Sequence, residues 1–227
     1  MNDKVAGFGV MLMSFSSGCV DILSYRFLGQ VFTSAMTGNV ALMGLDLGQG
    51  NMAAAGRNLI AFICFLAGLT FGAVLLRGRK QRSGLIRPLA GEMLLLLVFA
   101  GLWRLHGPQA TLYALIGISA VAMGMQSAVA HRIGMPGIST TYFTGTLTNI
   151  IFGLVGPAPA HPLVRVQWPV LAFLAYIVGA VLAGWWTGGM SALDLPLSLP
   201  VLPAIAIGGL VLMLALARNE PQVVPQS

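Results

Sequence analysis

Asp21 stands inside an apolar run that opens at Val5, with Ser14, Ser17 and Gly18 placed seven, four and three positions before it. On a helix these four residues share one face, so the run carries a polar stripe that ends in a carboxyl group. A charged carboxylate at membrane depth costs at least about 2.5–3.5 kcal/mol, and such a group faces a cavity or a partner. Two uses fit the position: a titratable group that couples proton or cation movement, and an acid paired with Arg26 near the end of the helix. The second has geometry on its side, because Asp21 lies about 9 Å before the segment end at Phe27 for a rise of about 1.5 Å per residue.

Two more groups have the chemistry to hold a small polar solute. Thr37, Gly38 and Asn39, and later Thr144, Gly145 and Thr146 with Thr141 just before them, set hydroxyl and amide groups among apolar neighbours. Freed backbone carbonyls and such side chains can replace part of a hydration shell where they line a cavity inside protein. Gln126 and Ser127 occupy the place in the second half of the chain that Asp21 holds in the first, which leaves one half charged and the other with neutral hydrogen-bonding groups. Packing is the competing use: glycine admits a close neighbour, and Ser or Thr hydroxyls bond adjacent helices for about 0.6 kcal/mol on average. Gly68-x-x-x-Gly72 and the group Gly179, Ala180, Ala183 and Gly184 belong with packing.

Catalysis finds little support. There is no Gly-x-Ser-x-Gly and no phosphate loop, and the carboxylates away from the extreme ends are Asp21, Asp46, Glu92 and Asp194. Cys19 and Cys64 sit in apolar runs, where a thiol packs as a small residue. His131 has no second ligand at metal-binding spacing. The expectation is a protein that is not an enzyme, with no catalytic residues, no metal and no cofactor.

The elements that position these residues follow from composition. Of 227 residues 57% are hydrophobic and 8% charged, which cannot make a water-soluble surface. Apolar runs bounded by Gly, Pro or charge predict eight helical segments near 6–27, 31–47, 56–77, 85–105, 109–131, 138–156, 167–187 and 198–217. The first reads as a retained helix and not a cleaved signal, and 218–227 as a polar tail, so the chain is expected to be a single integral membrane domain over 1–227. The net charge of +6 points to lipid headgroups and topology rather than nucleic acid. Arg77, Arg79, Lys80, Arg82 and Arg87 form the densest basic loop, which the positive-inside rule puts on the cytoplasmic side. Trp103, Trp168, Trp185, Trp186 and Tyr113 fall near segment ends, where aromatic rings anchor at headgroups.

Segments two and six have polar, glycine-bearing centres that suit a broken or re-entrant helix facing inward. They also resemble each other: Val31–Asn39 lines up with 138–146, and Gly18–Asp21 lines up with Gly124–Ser127. Two related halves are expected, 1–106 and 107–227. If segments two and six cross, there are eight spans and the repeats are parallel; if they dip and return, there are six spans and the repeats are inverted. The six-span version places more of the twelve Lys and Arg residues inside, a weak preference because one loop supplies five of the charges in both versions, whereas segment length favours eight, since runs this short can cross with modest bilayer adjustment; eight spans are the expectation.

Gly18-Cys-Val-Asp21, Phe32-Thr-Ser-Ala-Met-Thr-Gly-Asn39, and Gly124-Met-Gln-Ser-Ala128 followed by Thr141-Tyr-Phe-Thr-Gly-Thr146 together resemble the YoaK-like, or DUF1275, bacterial membrane proteins. The resemblance covers nearly the whole chain, with Ser127 standing where the family's pairing places an Asn-like residue. It implies a multi-pass protein of the bacterial inner membrane with no assigned activity or cofactor, and it supplies no catalytic residues.

The leading expectation is therefore an all-α polytopic membrane protein acting as a small secondary transporter for a polar or ionic solute, with proton coupling. Asp21 would be the coupling group. Thr37, Asn39, Gln126, Thr141 and Thr144 would contact the solute, and Gly38 and Gly145 would allow the helix breaks. The partners would be the lipid bilayer, a small polar solute or proton and, in an oligomer, further copies of the chain. The rival expectation is a non-transport scaffold or lipid-interacting protein with a dry, packed middle; a third is an intramembrane enzyme with a reactive group beside Asp21 in a wet pocket.

Overall fold

The computed structural model describes residues 3–78, 81–133, 143–155, 162–188 and 198–216. Among these residues eight helices follow one another: α1 (Asp3–Phe27), α2 (Met36–Gly48), α3 (Met52–Leu76), α4 (Gln81–Ala110), α5 (Leu112–Ile133), α6 (Phe143–Val155), α7 (Pro162–Thr187) and α8 (Ser198–Leu216). Each falls on one of the eight apolar segments, and no strand occurs among the described residues. The expected tail, 218–227, lies outside them.

Among the described residues five helices, α1, α3, α4, α5 and α7, are long and apolar enough to cross a membrane. The apolar stretch of α8, Pro200–Leu216, is shorter. At 13 residues each, α2 and α6 extend about 20 Å, less than the hydrocarbon thickness of about 30 Å. As helices alone these two do not reach across. The surface is apolar, with Phe71, Val74, Leu94, Ile177 and Val181 exposed, while Ser14, Ser17, Asp21, Asn39, Glu92 and Gln126 are buried. Such a distribution suits lipid as the surrounding solvent, and the fold is that of an all-helical polytopic membrane protein.

α1 and α5 occupy the middle. Of the most apolar stretch of α1 67% is enclosed and of α5 61%, against 28% for α3 and 22% for α7. α1 packs on α7 and α8, and α5 packs on α3 and α4; α4 meets α8, α2 lies on α3, α6 on α7, and α1 touches α5.

Glycines set how closely the two main crossings approach. A side chain at Gly18 would strike the Tyr176 carbonyl and the Ala180 amide of α7, and one at Gly124 would strike the Phe65 carbonyl and the Leu69 amide of α3. In return Gly179 opposes the Phe15 carbonyl and Gly68 the Val121 carbonyl. Backbone therefore meets backbone in both crossings, the arrangement that small residues permit between membrane helices. Gly184 has open space around it and takes no part.

On α4 the buried residues Leu85, Leu89, Glu92, Leu96, Phe99 and Trp103 recur at alternating spacings of four and three, the period of one helix face. The run breaks at Gly107, whose φ of 72° and ψ of 160° are not helical, beside the expected join of the halves. The Thr111 hydroxyl donates to the Gly107 carbonyl at 2.8 Å and secures the bend.

Candidate functional site

α1 stops where glycine lets the backbone turn left-handed. Gly29 has φ 80° and Gln30 φ 62°, and the Gln30 N–H reaches back to the Tyr25 carbonyl at 3.1 Å, the closing bond of a Schellman turn. Regular structure then lapses until Met36, although Val31, Thr33 and Ser34 are all buried. Non-helical backbone at this depth has to find its hydrogen-bond partners within the protein.

Asp21 supplies them. Its Oδ1 accepts from the backbone N–H of Thr33 at 2.9 Å and of Ser34 at 2.8 Å, and from the Thr33 hydroxyl at 3.3 Å. Its Oδ2 accepts from the Ser34 hydroxyl at 2.5 Å and the Tyr176 hydroxyl at 3.0 Å. A carboxylate offers about four lone-pair sites, so five donors use its whole capacity. The expected pairing with Arg26 is not among these bonds: that residue is exposed, with its guanidinium carbon 5.9 Å from the Phe27 ring centroid.

Asn39 completes the break from the other side. Its side-chain oxygen accepts from the Phe32 N–H at 2.8 Å, and its side-chain nitrogen donates to the Phe32 carbonyl at 2.5 Å. An amide that pairs both ways with one residue copies a rung of a β-ladder. The Phe32 ring stacks on Tyr25, with centroids 5.0 Å apart, and lies beside Gly38. Thr37 does not join this group, because its side chain is exposed.

Gln126 belongs to a second polar contact. Its side-chain nitrogen donates to the Ser17 hydroxyl at 2.6 Å and the Met13 carbonyl at 3.1 Å, and the Ser17 hydroxyl donates onward to the Met123 sulfur at 3.8 Å. Asp21 and Gln126 thus share no common pocket, but Ser17, one turn before Asp21, links them along α1. The Gln126 Oε1 and the hydroxyls of Ser14, Ser16 and Ser24 are buried with no hydrogen-bond partner. In the second half Gly145 is exposed and Thr146 buried; Thr141 and the side chain of Thr144 lie outside the described residues.

Four participants were not among the expected site residues. Thr33, Ser34 and Tyr176 complete the Asp21 shell; the first two stood out only as part of the polar run of segment two, and nothing in the sequence marks a tyrosine on α7 as a partner for α1. Glu92 is the fourth: it has no exposed surface and neither carboxyl oxygen has a partner. Its place in the α4 stripe, between Leu89 and Leu96, was the available signal. No group of three metal-ligating side chains occurs among the described residues. Between α3 and α5 a groove of about 550 Å³ has apolar walls including Leu69, Val74 and Ala128, with Arg77, His131 and Arg132 along it, which is where basic residues expected at lipid headgroups gather.

A family profile described as "Protein of unknown function (DUF1275)" matches residues 9–214. A curated relative, "UPF0700 transmembrane protein YoaK" of Bacillus subtilis (strain 168), is 35% identical over 151 residues, a stretch covering 64% of this chain and 65% of the relative. The match thus spans a little under two thirds of that relative's length. No solved structure matches this chain.

Proposed function

Since this chain belongs to the DUF1275 family, whose function is unknown, we propose its activity from the site itself: a small, non-enzymatic permease of the bacterial inner membrane for a polar or ionic solute. The observation that carries this reading is the break between α1 and α2, buried in the bundle and held by Asp21. α1 is already long enough to cross before it stops, and the buried non-helical turn that follows leads into a helix too short to cross, the kind of break with which transporters of related halves build their sites.

In this reading the halves 1–106 and 107–227 are inverted repeats of three spans each, α1, α3 and α4 against α5, α7 and α8, with α2 and α6 dipping in from opposite faces. Four features support it. Packing partners exchange between halves, α1 with α7 and α5 with α3, then α1 with α8 and α5 with α4. The reciprocal glycines recur at both main crossings. Ser17 contacts Met123 across a separation of 106 residues, the same separation that relates Gly18 to Gly124, as a residue near a pseudo-twofold axis touches its own counterpart. Asn39 and Thr146, which correspond in sequence, are both buried.

The roles divide differently from the expectation. Asp21 anchors the break, since its oxygens are already engaged, and the coupling role passes to another group. The solute meets the α1–α5 face at Ser14, Ser17 and Gln126, where unfilled polar atoms remain, and Thr37 lies at the outer mouth. Rocking of one three-helix unit against the other opens that face to alternate sides.

Single cysteines at positions 34, 126 and 37, in a background lacking Cys19 and Cys64, test this with a membrane-impermeant thiol reagent added to either side of the membrane. Positions 34 and 126 are expected to react, slowly and from alternate sides. If both stay protected while position 37 reacts, the middle is dry and the protein is a scaffold.

A further inference from the structure

We propose that Glu92 is a proton-binding carboxyl group at the meeting of α1, α4, α5 and α8, and the coupling site of the permease, an inference that rests on that functional reading. Contacts place these four helices in one layer. Gly91 of α4 lies against the Met125 methyl of α5, Met93 of α4 against Gly208 of α8, and Leu210 of α8 against Gly9 of α1. Gln126 of α5 then closes the ring by donating to the Met13 carbonyl of α1. Glu92 sits in this layer between Gly91 and Met93, on the buried stripe of α4.

The layer has a shortage of donors. Both Glu92 oxygens, the Gln126 Oε1 and the Ser14 hydroxyl lack partners, and the first three atoms only accept. One proton on Glu92 converts an acceptor pair into a donor and an acceptor, which removes the charge and halves the shortage at that residue. Unpaired intramembrane carboxyl groups of this kind mark proton paths.

Among the described side chains of the surrounding helices, no charge substitutes for that proton. α8 has no titratable side chain over 198–216. The titratable groups of α5, namely Tyr113, His131 and Arg132, lie at its ends. On α1, Asp21 is bound as described, Cys19 donates to the Gly179 carbonyl at 3.4 Å on the α7 side, and Lys4, Tyr25 and Arg26 are exposed. α3, which touches α4 less extensively, carries Arg57 and Cys64, the first donating to the Gly29 carbonyl at 3.3 Å. On α4 itself Arg87, Arg104 and His106 are exposed. A metal cation is a poorer occupant, because a single carboxylate with two neutral oxygens leaves much of its hydration unreplaced.

The step is a protonation alone: a proton from one side forms the O–H bond on Glu92, and the same bond breaks as the proton leaves to the other side when the bundle rocks. No electron or second group moves.

Dicyclohexylcarbodiimide, an apolar reagent that adds to protonated carboxyl groups, tests the site in the full-length protein in lipid vesicles, with the adduct mapped by mass spectrometry. An adduct is expected on Glu92, falling about tenfold per pH unit above its midpoint, with Asp21 unmodified and Glu92→Gln unlabelled. Absence of an adduct on Glu92 at every pH, or labelling indifferent to pH, overturns the proposal. The wild-type profile decides the matter even where the variant does not fold. Labelling at Glu92 with positions 34 and 126 dry keeps the proton site and overturns the permease; wet positions with Glu92 unlabelled do the reverse.

Discussion

Ser34 holds both oxygens of Asp21, its backbone N–H donating to Oδ1 at 2.8 Å and its hydroxyl to Oδ2 at 2.5 Å. The acid thus replaces the helical partners that Ser34 lost where α1 ended, and it fixes the angle at which α2 begins.

Substitutions at Asp21 should rank by how many donors they abandon. Asp21→Ala leaves the two buried backbone N–H groups of Thr33 and Ser34 unmatched, at about 1–3 kcal/mol for each unsatisfied group. Asp21→Asn keeps one oxygen for the backbone pair and should lose less. The order wild type, Asn, Ala is expected in melting temperature in detergent, and an Ala variant as stable as the wild type would remove the anchor role.

Asn39 must both donate and accept, so its charge-free mimicry is expected to matter more than its size. Asn39→Asp cannot donate to the Phe32 carbonyl and places an acceptor beside it. Hydrogen exchange of residues 28–35 should rise at least as much in Asn39→Asp as in Asn39→Ala, while exchange in α3 stays unchanged. A Phe32 amide that exchanges at the wild-type rate in both variants would contradict the pairing.

Gly18→Ala and Gly124→Ala each drive a methyl group into a backbone carbonyl, and overpacking of this kind costs about 1–3 kcal/mol. Gly184→Ala meets open space and in a helix should be neutral or stabilising by up to about 1 kcal/mol. Equal losses at Gly18 and Gly124 in a denaturation series are the outcome that related halves require; a loss at one alone would argue against equivalent crossings.

Gln126→Leu removes two donated bonds but also an unsatisfied buried oxygen. Because apolar replacement of a half-satisfied group of similar shape can be nearly neutral, unfolding free energy should change by less than about 1 kcal/mol. The same substitution should abolish water access to a cysteine at position 17. A large destabilisation would instead make Gln126 a packing residue.

Local pattern carried much of this protein. Its solvent, its eight helices and the singular character of Asp21 were legible because hydrophobic period and charge at depth are properties of neighbouring residues along one chain. A break beside segment two was legible for the same reason, but it falls at 28–35, before Met36, and α2 and α6 run helical through Gly38 and Gly145, where breaks were expected. Partnership was not. Tyr176 reaches Asp21 from 155 residues away, Thr37 turns outward while Asn39 turns in, and Glu92 reads as one more acid until α5 and α8 close around it. A hydrogen bond or an unpaired carboxyl depends on which faces of distant helices meet, and that is decided when backbone packs on backbone at Gly18, Gly68, Gly124 and Gly179. Sequence by itself determined the helices and the membrane around them; only the tertiary packing decided which polar groups are satisfied and which are left without a partner.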